Sequence, residues 1–221
     1  KGVQGLLMGC LSKVKWDDAV SALVPFVNGV LNIKTREFLS HSPDNFLTWQ
    51  LPYDYQPEAT CEPILAWLKE ACGGDDSTVQ LIQAFFNAVL TGRADLQRFL
   101  EIDGPGGTGK GTLLRLLVDM LGERNVYSTE LDHLEKNRFE TAAIQGKRLV
   151  MLTDAKDYGG DGNVLKALTG QDWLRKEKKN KQQEEPFIFD GLVVIAANKP
   201  ISFKDLSSAI PRRRVSIVFD R

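Results

Sequence analysis

The stretch that decides the fold of this chain spans residues 99–112 and reads FLEIDGPGGTGKGT. Its start, Phe99–Ile102, is predicted to form a strand, and leucines at helical spacing follow the stretch from Leu113 onward. Between strand and helix, Gly104–Lys110 fits the G-x-x-x-x-G-K template of a phosphate-binding loop. The stretch therefore predicts a strand–loop–helix unit of an α/β protein that binds an anion at the loop.

The residue types in the loop suit a nucleoside triphosphate. Glycines let backbone N–H groups wrap an anion without Cβ clashes, and the following helix adds the positive end of its dipole. Lys110 would reach the β- and γ-phosphates. The glycines also satisfy the G-x-G-x-x-G pattern of dinucleotide sites, but a lysine directly after the last glycine favours a triphosphate. The predicted phosphate-binding residues are Gly104, Pro105, Gly106, Gly107, Thr108, Gly109, Lys110, Gly111 and Thr112.

One position departs from the template. Ser or Thr directly after the lysine would ligate Mg²⁺, but Gly111 occupies that place and Thr112 follows it. Neighbouring helical residues point about 100° apart, so Thr112 is a candidate Mg²⁺ ligand without being an equivalent one. Because Gly-Lys-Gly-Thr also occurs in nucleoside monophosphate kinases such as adenylate kinase, that class is the first rival interpretation.

Further apolar runs define the rest of the fold. Strands are predicted at 148–152, 192–197 and 215–219, which is typical of a parallel sheet covered by helices on both faces. The N-terminal part differs, because it contains most of the prolines and two predicted helices, one starting near Pro63 and one after a capping pattern at Asp75. We therefore expect a mainly helical domain at 1–95 and an α/β domain at 96–221.

Polar residues follow two of the predicted strands. Asp154 comes after the strand at 148–152 and is the predicted Mg²⁺ ligand. Asn198 comes after the strand at 192–197, where ligands bind in open α/β sheets and where its amide can orient an attacking water. ATPase strands usually end in two acids, whereas the second acid here is Asp157, so the residue that activates water stays open.

Three adjacent arginines, Arg212, Arg213 and Arg214, precede the last predicted strand. Such a run usually forms a solvated surface. In an ATPase ring, however, one arginine can reach the γ-phosphate held by the neighbouring subunit and act as an arginine finger. Arg213 or Arg212 is the predicted finger.

Positive charge is concentrated at residues 175–181, which read RKEKKNK and are followed by two glutamates and an apolar run. The pattern predicts a hairpin with a basic tip, which can follow a phosphate backbone without reading bases. Trp173, just before the tip, is assigned to packing in preference to base stacking. The predicted DNA-binding residues of the tip are Lys176, Lys178, Lys179 and Lys181.

Composition excludes several other classes. The 221 residues carry 28 Lys and Arg against 29 Asp and Glu, so overall charge does not favour a histone-like nucleic-acid binder. No apolar run is long enough to cross a bilayer, and three cysteines without a Cys-x-x-Cys pair favour a cytoplasmic protein over a secreted or zinc-binding one. Because the first residue is Lys1, we expect the sequence to belong to a longer chain.

Taken in order, these motifs resemble the ATPase core of superfamily 3 helicases, in particular the primase-helicases of phages and plasmids. The segments at 26–31, 41–43 and 51–55 resemble the helical region before the motor in that family. The matching motifs are the loop at 104–112 (Walker A), the strand at 149–154 (Walker B), the segment LKALTGQD at 165–172 before a DNA-contacting hairpin, the strand ending in the sensor Asn198, and Arg213-Arg214.

The resemblance implies an AAA+-type P-loop fold and an ATP hydrolase that uses ATP and Mg²⁺. It further implies hexameric rings that move 3′ to 5′ along single-stranded DNA and unwind duplexes during replication of a phage, plasmid or other mobile element. Lys166 and the basic tip would contact DNA, and full-length relatives often carry a primase upstream.

Two alternatives stay open from the sequence. A nucleoside monophosphate kinase would share Gly-Lys-Gly-Thr, but such enzymes usually begin with the loop strand and need an arginine-rich lid. A DNA-binding module with a degenerate nucleotide site would retain the basic hairpin without hydrolysis.

Overall fold

The computed structural model describes residues 22–153, 158–177, 184–204 and 208–220. The chain divides into two compact units, residues 1–55 and 56–221. The helices within residues 62–91, which the sequence groups with the N-terminal domain, cluster here with the second unit.

The first unit contains a small antiparallel sheet. β1 (Leu23–Phe26) pairs with β2 (Gly29–Asn32), and β2 pairs with β3 (Phe38–Leu39). The carbonyl of Pro25 accepts a hydrogen bond from the N–H of Leu51 at 2.9 Å, which ties the following loop to β1. The sequence did not predict these strands, because they are short and a proline inside a strand argues against one.

The second unit alternates helices and strands. In chain order its elements are α1 (Glu62–Ala71), α2 (Asp76–Thr91), β4 (Phe99–Asp103), α3 (Lys110–Leu121), β5 (Val126–Glu130), α4 (Leu131–Lys136), α5 (Glu140–Ile144), β6 (Leu149–Thr153), α6 (Asn163–Gly170), β7 (Trp173–Lys176), β8 (Glu184–Ile188), β9 (Leu192–Ala197), α7 (Ala209–Arg213) and β10 (Arg214–Val218).

Helix α2 shows why the local sequence signals were readable. The carboxylate of Asp75 accepts hydrogen bonds from the N–H and the hydroxyl of Ser77 at 3.0 and 2.7 Å, so it caps the helix. Gly92 ends the helix in the left-handed conformation, with φ of 65°. The predicted start of this helix after Asp75 is confirmed.

Five strands form a parallel sheet in the order β10-β4-β9-β6-β5. β4, β6 and β9 are buried along nearly their whole length, as expected of central strands covered on both faces. β5 lies at an edge, and after the buried Val126 its residues alternate between half-buried and exposed. The predicted α/β fold with a parallel sheet flanked by helices is confirmed, although β5 was not foreseen because its sequence, VYSTE, is short and polar.

A hydrophobic core lies between this sheet and helices α4 to α7. Residues of α4 and α6, among them Leu131, Leu134, Leu165 and Leu168, pack with the inward-facing residues of the strands. Helix α3 buries four further leucines outside this cluster. None of the helices within the described residues is long and apolar enough to span a membrane.

β7 and β8 form a separate antiparallel hairpin between α6 and β9. Leu174 lies opposite Phe187 and both are buried, whereas Trp173 is 68% exposed. The hydroxyl of Thr141 in α5 donates to the carbonyl of Arg175 at 2.7 Å and anchors the hairpin. The predicted hairpin is confirmed, and Trp173 is exposed where packing was expected.

Candidate functional site

The glycine-rich loop connects β4 to α3 at the carboxyl end of the sheet. Gly104 has φ of 149°, and a methyl group at this position would overlap the carbonyl oxygen of Phe219. The N–H of Phe219 donates to the carbonyl of Asp103 at 2.8 Å and holds the two segments together. This close approach explains why the loop opens with glycine.

The middle of the loop exposes its backbone. Gly107 and Gly109 have φ of 88° and 95°, a region in which a side chain is strained. Pro105 and Gly106 are exposed, and the hydroxyl of Thr108 donates to the carbonyl of Pro105 at 2.9 Å. The loop is therefore closed on itself and presents bare backbone next to a helix N-terminus, the arrangement on which anion sites are built.

Lys110 begins α3 and turns back onto the loop. Its ammonium donates hydrogen bonds to the carbonyl oxygens of Gly104 and Pro105, at 2.5 and 2.6 Å. The positive charge therefore lies against the first turn of the loop. An arriving phosphate would have to replace these two carbonyls as the hydrogen-bond acceptor of the ammonium.

The ends of three neighbouring strands lie side by side at this end of the sheet. Asp103 at the end of β4 is in register with Ala197 at the end of β9, and Ile195 of β9 is in register with Leu152 of β6. Adjacent strands are about 4.8 Å apart. The structure therefore brings the start of the loop next to the residue that follows β9 and close to the end of β6.

Of the catalytic residues predicted at these strand ends, the structure describes Asn198 but not Asp154. Asn198 follows β9 directly and is exposed. Asp154 follows Thr153, the last residue of β6, and lies with Asp157 outside the described residues.

The predicted metal ligand on α3 is exposed. The hydroxyl oxygen of Thr112 accepts a hydrogen bond from Nη2 of Arg115 at 3.1 Å and retains a further lone pair. Among the described residues, no group of three His, Cys, Asp or Glu side chains could hold a metal ion. Mg²⁺ in nucleotide sites is usually held by one or two protein oxygens together with substrate phosphates, and Thr112 fits such a partial set.

Two buried carboxylates on β4 were not predicted. Glu101 is fully buried and Asp103 is 7% exposed. Burial raises the pKa of both carboxyl groups, and the positive charge of Arg214 partly opposes this rise. Oε1 of Glu101 accepts the N–H of Ile201 at 3.0 Å, and Oε2 lies 3.1 Å from Nε of Arg214. The available signal was the pair of acids inside an otherwise apolar strand.

Trp67 of α1 is another residue near the loop that was not predicted as part of the site. A methyl group at Gly109 would lie 3.3 Å from its Cζ2 atom, so the indole ring is adjacent to the loop. The ring is only partly buried. Helical spacing placed Trp67 on an apolar stripe and gave no sign of the loop as its neighbour.

The three arginines around the start of β10 have different surroundings. Arg213 is 9% exposed and lies beside Gly170, and its Nε makes no hydrogen bond within the described residues. Arg212 is exposed, and Arg214 lies at the start of β10 opposite Phe99, at the amino end of β4. Burial lowers the pKa of Arg213, while Asp172 raises it.

The predicted DNA-binding lysines are only partly described. Lys176 ends β7 and Lys166 lies on α6, and both side chains are half-buried. The tip residues Lys178, Lys179 and Lys181 lie outside the described residues. Ile188, which pairs with Trp173 across the hairpin, is also exposed, at 40%.

Parts of the sequence match known proteins. Residues 10–73 match the profile described as "D5 N terminal like". The uncharacterized mitochondrial protein ymf21 of Marchantia polymorpha is 29% identical over 126 residues, which cover 52% of this chain and 70% of that protein.

Solved structures are similar in fold. The A form apo structure of the NrS-1 C terminal region matches with a TM-score of 0.62 and 19% identity over 76% of this chain, and a shorter form of that region, residues 305–718, matches with a TM-score of 0.58. The X-ray structure of JCV Helicase matches with a TM-score of 0.45, too weak a likeness to bear on fold or function. The chain spans less than half the length of these structures, 42%, 41% and 46%.

The region that contains the loop, both neighbouring strand ends and the arginines is also the region recognised by a family profile. That profile covers residues 102–214, about half of the chain. The chain belongs to the family of unknown function DUF5906.

Proposed function

We propose that this chain is an ATP-driven helicase motor of the superfamily 3 type, which couples ATP hydrolysis to movement along single-stranded DNA and to unwinding. The observation that carries the proposal is the register of β4, β9 and β6, which brings a phosphate-binding loop, Asn198 and the end of the Asp154 strand to one end of the sheet. Ligands of parallel α/β sheets bind at that end. The D5 N terminal like match at residues 10–73 supports a helicase-related assignment.

The loop would bind the triphosphate. Its backbone N–H groups and the N-terminus of α3 would accept the phosphate charge, and Lys110 would exchange the carbonyls of Gly104 and Pro105 for phosphate oxygens. Mg²⁺ would be held by phosphate oxygens together with Thr112 and Asp154, and would neutralise charge on the transferred group.

Asn198 would position the attacking water. It is exposed and follows β9 beside the start of the loop, so its amide can hold a water near a bound γ-phosphate. Either Asp154 or Asp157 would be the acid that accepts the proton.

A neighbouring subunit would complete the site. β10 starts at the level of Phe99, so Arg212 lies near the amino end of the sheet, about 13 Å along the strand from the loop. An exposed arginine there is remote from the phosphates of its own chain but free to meet those of the next subunit in a ring. Arg212 suits this role better than Arg213, which is buried.

The hairpin would contact DNA. Its described part shows Trp173 exposed on the face opposite the buried Leu174. The basic segment at 175–181 follows Trp173 in the sequence. An exposed aromatic ring beside lysines is the combination by which proteins hold single strands without sequence preference.

The test is phosphate release from ATP by the purified chain, with and without single-stranded DNA and with AMP as an alternative acceptor, alongside its mass in solution. DNA-stimulated phosphate release by an oligomer, lost in Lys110→Ala, is the expected result. Formation of ADP from AMP would identify a nucleoside monophosphate kinase, and DNA binding without any hydrolysis would identify a non-catalytic module.

A further inference from the structure

Glu101 is the most deeply buried charged side chain in the described part of the second unit, and it lies in the strand that opens the phosphate-binding loop. A buried carboxylate is costly unless hydrogen bonds and an opposite charge compensate it. Its partners therefore indicate what the residue is for.

Both carboxylate oxygens of Glu101 are directed at other segments. Oε1 accepts the N–H of Ile201 at 3.0 Å, and Oε2 lies 3.1 Å from Nε of Arg214. Nη2 of Arg214 donates to the carbonyl of Ile201 at 2.8 Å, which closes a ring of three contacts. We call Glu101, Arg214 and the backbone of Ile201 the clamp.

The clamp joins the two segments that the proposed reaction needs. Ile201 follows Asn198 by three residues, and Arg214 follows Arg212 by two. Because peptide units are short and stiff, displacement of Ile201 or Arg214 would displace Asn198 or Arg212 as well.

Aromatic contacts extend the clamp toward the segment after β6. The guanidinium carbon of Arg214 lies 5.4 Å from the ring centroid of Phe203, and that ring packs edge-on against Tyr158 at 5.5 Å. The hydroxyl of Tyr158 accepts the N–H of Gly162 at 3.1 Å, at the start of α6. The clamp thus reaches the connection that follows the Asp154 strand.

We propose that Glu101 is a positioning residue, whose single carboxylate fixes the Asn198 segment and the Arg212 segment to the strand of the phosphate-binding loop. The proposal rests on the proposed function, because it concerns the hydrolysis assigned to that loop. Glu101 acts through Asn198 and Arg212 and does not touch the nucleotide.

The test is Glu101→Gln, which keeps an acceptor for Ile201 but places an amide opposite Arg214. We expect kcat for ATP to fall about 100-fold, since small displacements of catalytic groups have effects of this size. The Kd for ATP stays within about twofold, because the loop itself is untouched. Hydrogen exchange of residues 198–204 accelerates in the variant.

A double variant tests whether Glu101 and Arg214 act as one unit or affect kcat independently. Glu101→Gln combined with Arg214→Gln is expected to be no slower than the slower single variant, because both remove the same clamp. Arg148→Lys is the control, since this arginine bonds the carbonyl of Leu90 at 3.1 Å near the other end of the sheet. It should lower Tm without changing kcat.

Three results would overturn the proposal. Unchanged kcat in Glu101→Gln would remove the positioning role, and so would a loss of kcat matched by Arg148→Lys at equal Tm. Additive losses in the double variant would show that Glu101 and Arg214 act separately. If the wild-type chain hydrolyses no ATP with or without DNA, the proposed function fails first and the positioning role falls with it.

An independent observation concerns Trp67. A methyl group at Gly109 would contact both Trp67 and the ring of Phe219. Phe219 is fully buried, whereas Trp67 is partly exposed. If the loop binds the phosphates of a nucleoside triphosphate, the base of that nucleotide would lie near the residues that surround the loop. An exposed aromatic face beside a phosphate site is suited to stacking a nucleobase.

The geometry points to Trp67 as a platform for the nucleobase, a role that also rests on the proposed function. Stacking recognises the face of a base and not its hydrogen-bonding edge, so ATP and GTP should bind with similar affinity.

Calorimetric titration with ATP, GTP and inorganic triphosphate tests this role. Trp67→Ala should raise the Kd for both nucleotides about tenfold and leave that for triphosphate unchanged. Trp67→Phe should bind nearly as the wild type does. Phe139→Ala, which removes an exposed aromatic ring that has no part in the proposed site, serves as the control. Equal losses for triphosphate and nucleotides would reduce Trp67 to a packing residue, as would no loss at all. A wild type that binds neither ligand would contradict the proposed function instead.

Discussion

The two ends of the five-stranded sheet are built in opposite ways. At the carboxyl end, Asn198 is exposed and the ammonium of Lys110 donates to carbonyl oxygens of the loop itself. At the amino end, Arg148 is held on several sides, its N–H bonding the carbonyl of Asn125 at 2.8 Å and its guanidinium that of Leu90 at 3.1 Å. The first end retains hydrogen-bonding capacity for a ligand, and the second uses that capacity internally.

The difference teaches where to look for chemistry and where to look for stability. Groups whose partners lie within their own chain stabilise it, and groups that retain capacity at a strand end can bind a ligand. Arg212 is the exception at the amino end, because it is exposed beside the buried Arg213.

The largest expected effect concerns this exception. Arg212→Ala should lower ATP hydrolysis about 1,000-fold, the scale of arginine fingers. Activity should return on mixing with a Lys110→Ala subunit, which supplies an intact Arg212 to the neighbour. Failure to recover activity at any mixing ratio would break the assignment of Arg212 to a neighbouring site.

Arg213→Ala is the matched control for that prediction. Its side chain is packed beside Gly170, so the expected result is a lower Tm with a smaller loss of activity. If the Arg213→Ala variant loses mainly stability and the Arg212→Ala variant loses mainly activity, the contrast between the two ends is sharpened.

The next largest effect concerns the first glycine of the loop. In Gly104→Ala the methyl group overlaps the carbonyl oxygen of Phe219, and φ of 149° strains any side chain. We expect the free energy of unfolding to fall by about 3 kcal/mol in denaturant titration. Gly106→Ala is the control, because nothing lies within 4 Å of its methyl position and its φ is not positive. Equal stability of the two variants would contradict the loop geometry.

A smaller effect is expected at the hairpin, which is separate from the five-stranded sheet. Replacing Lys178, Lys179 and Lys181 by Gln should reduce the slope of log affinity against log salt by about 2, since each phosphate contact on a single strand contributes about 0.7. The affinity for ATP should not change. DNA titrations at several salt concentrations measure the slope, and an unchanged slope would exclude the tip from binding.

The smallest effect concerns helix α2. The carbonyl of its Leu90 accepts a hydrogen bond from Arg148, so this helix supports the amino end of the sheet. Hydrogen bonds from Ser77 and Thr78 lower the pKa of Asp75 from 3.8 to about 2, so the cap stabilises above pH 4 and is lost as pH falls toward 2. Asp75→Ala should lower Tm by a few degrees at pH 7, with the difference shrinking through that window. Asp76→Ala, which removes only an exposed ion pair with Lys69, is the control.

Sequence reasoning succeeded where the signal is local. The loop, the apolar strands β4, β6 and β9, and the caps of α2 are each encoded within a few neighbouring residues, and the hairpin follows from turn and charge pattern. β5 and the strands of the first unit were missed because short, polar or proline-containing strands are decided by tertiary pairing.

The parts of the site that sequence reasoning missed depend on distant partners. Glu101 and Ile201 are 100 residues apart, so no local pattern connects them. Trp67 lies beside the loop only because α1 packs there, and the local sequence does not encode this contact. The choice between Arg212 and Arg213 depends on burial beside Gly170, which the run of three arginines does not encode.

The strand order has a consequence for how the protein is made. β9 lies between β4 and β6, although it follows both in the chain. During synthesis the facing edges of β4 and β6 stay unpaired until Leu192–Ala197 has left the ribosome. Such late insertion of a central parallel strand slows folding and exposes apolar edges to aggregation. The need for chaperones during folding should therefore depend on how soon β9 inserts between β4 and β6.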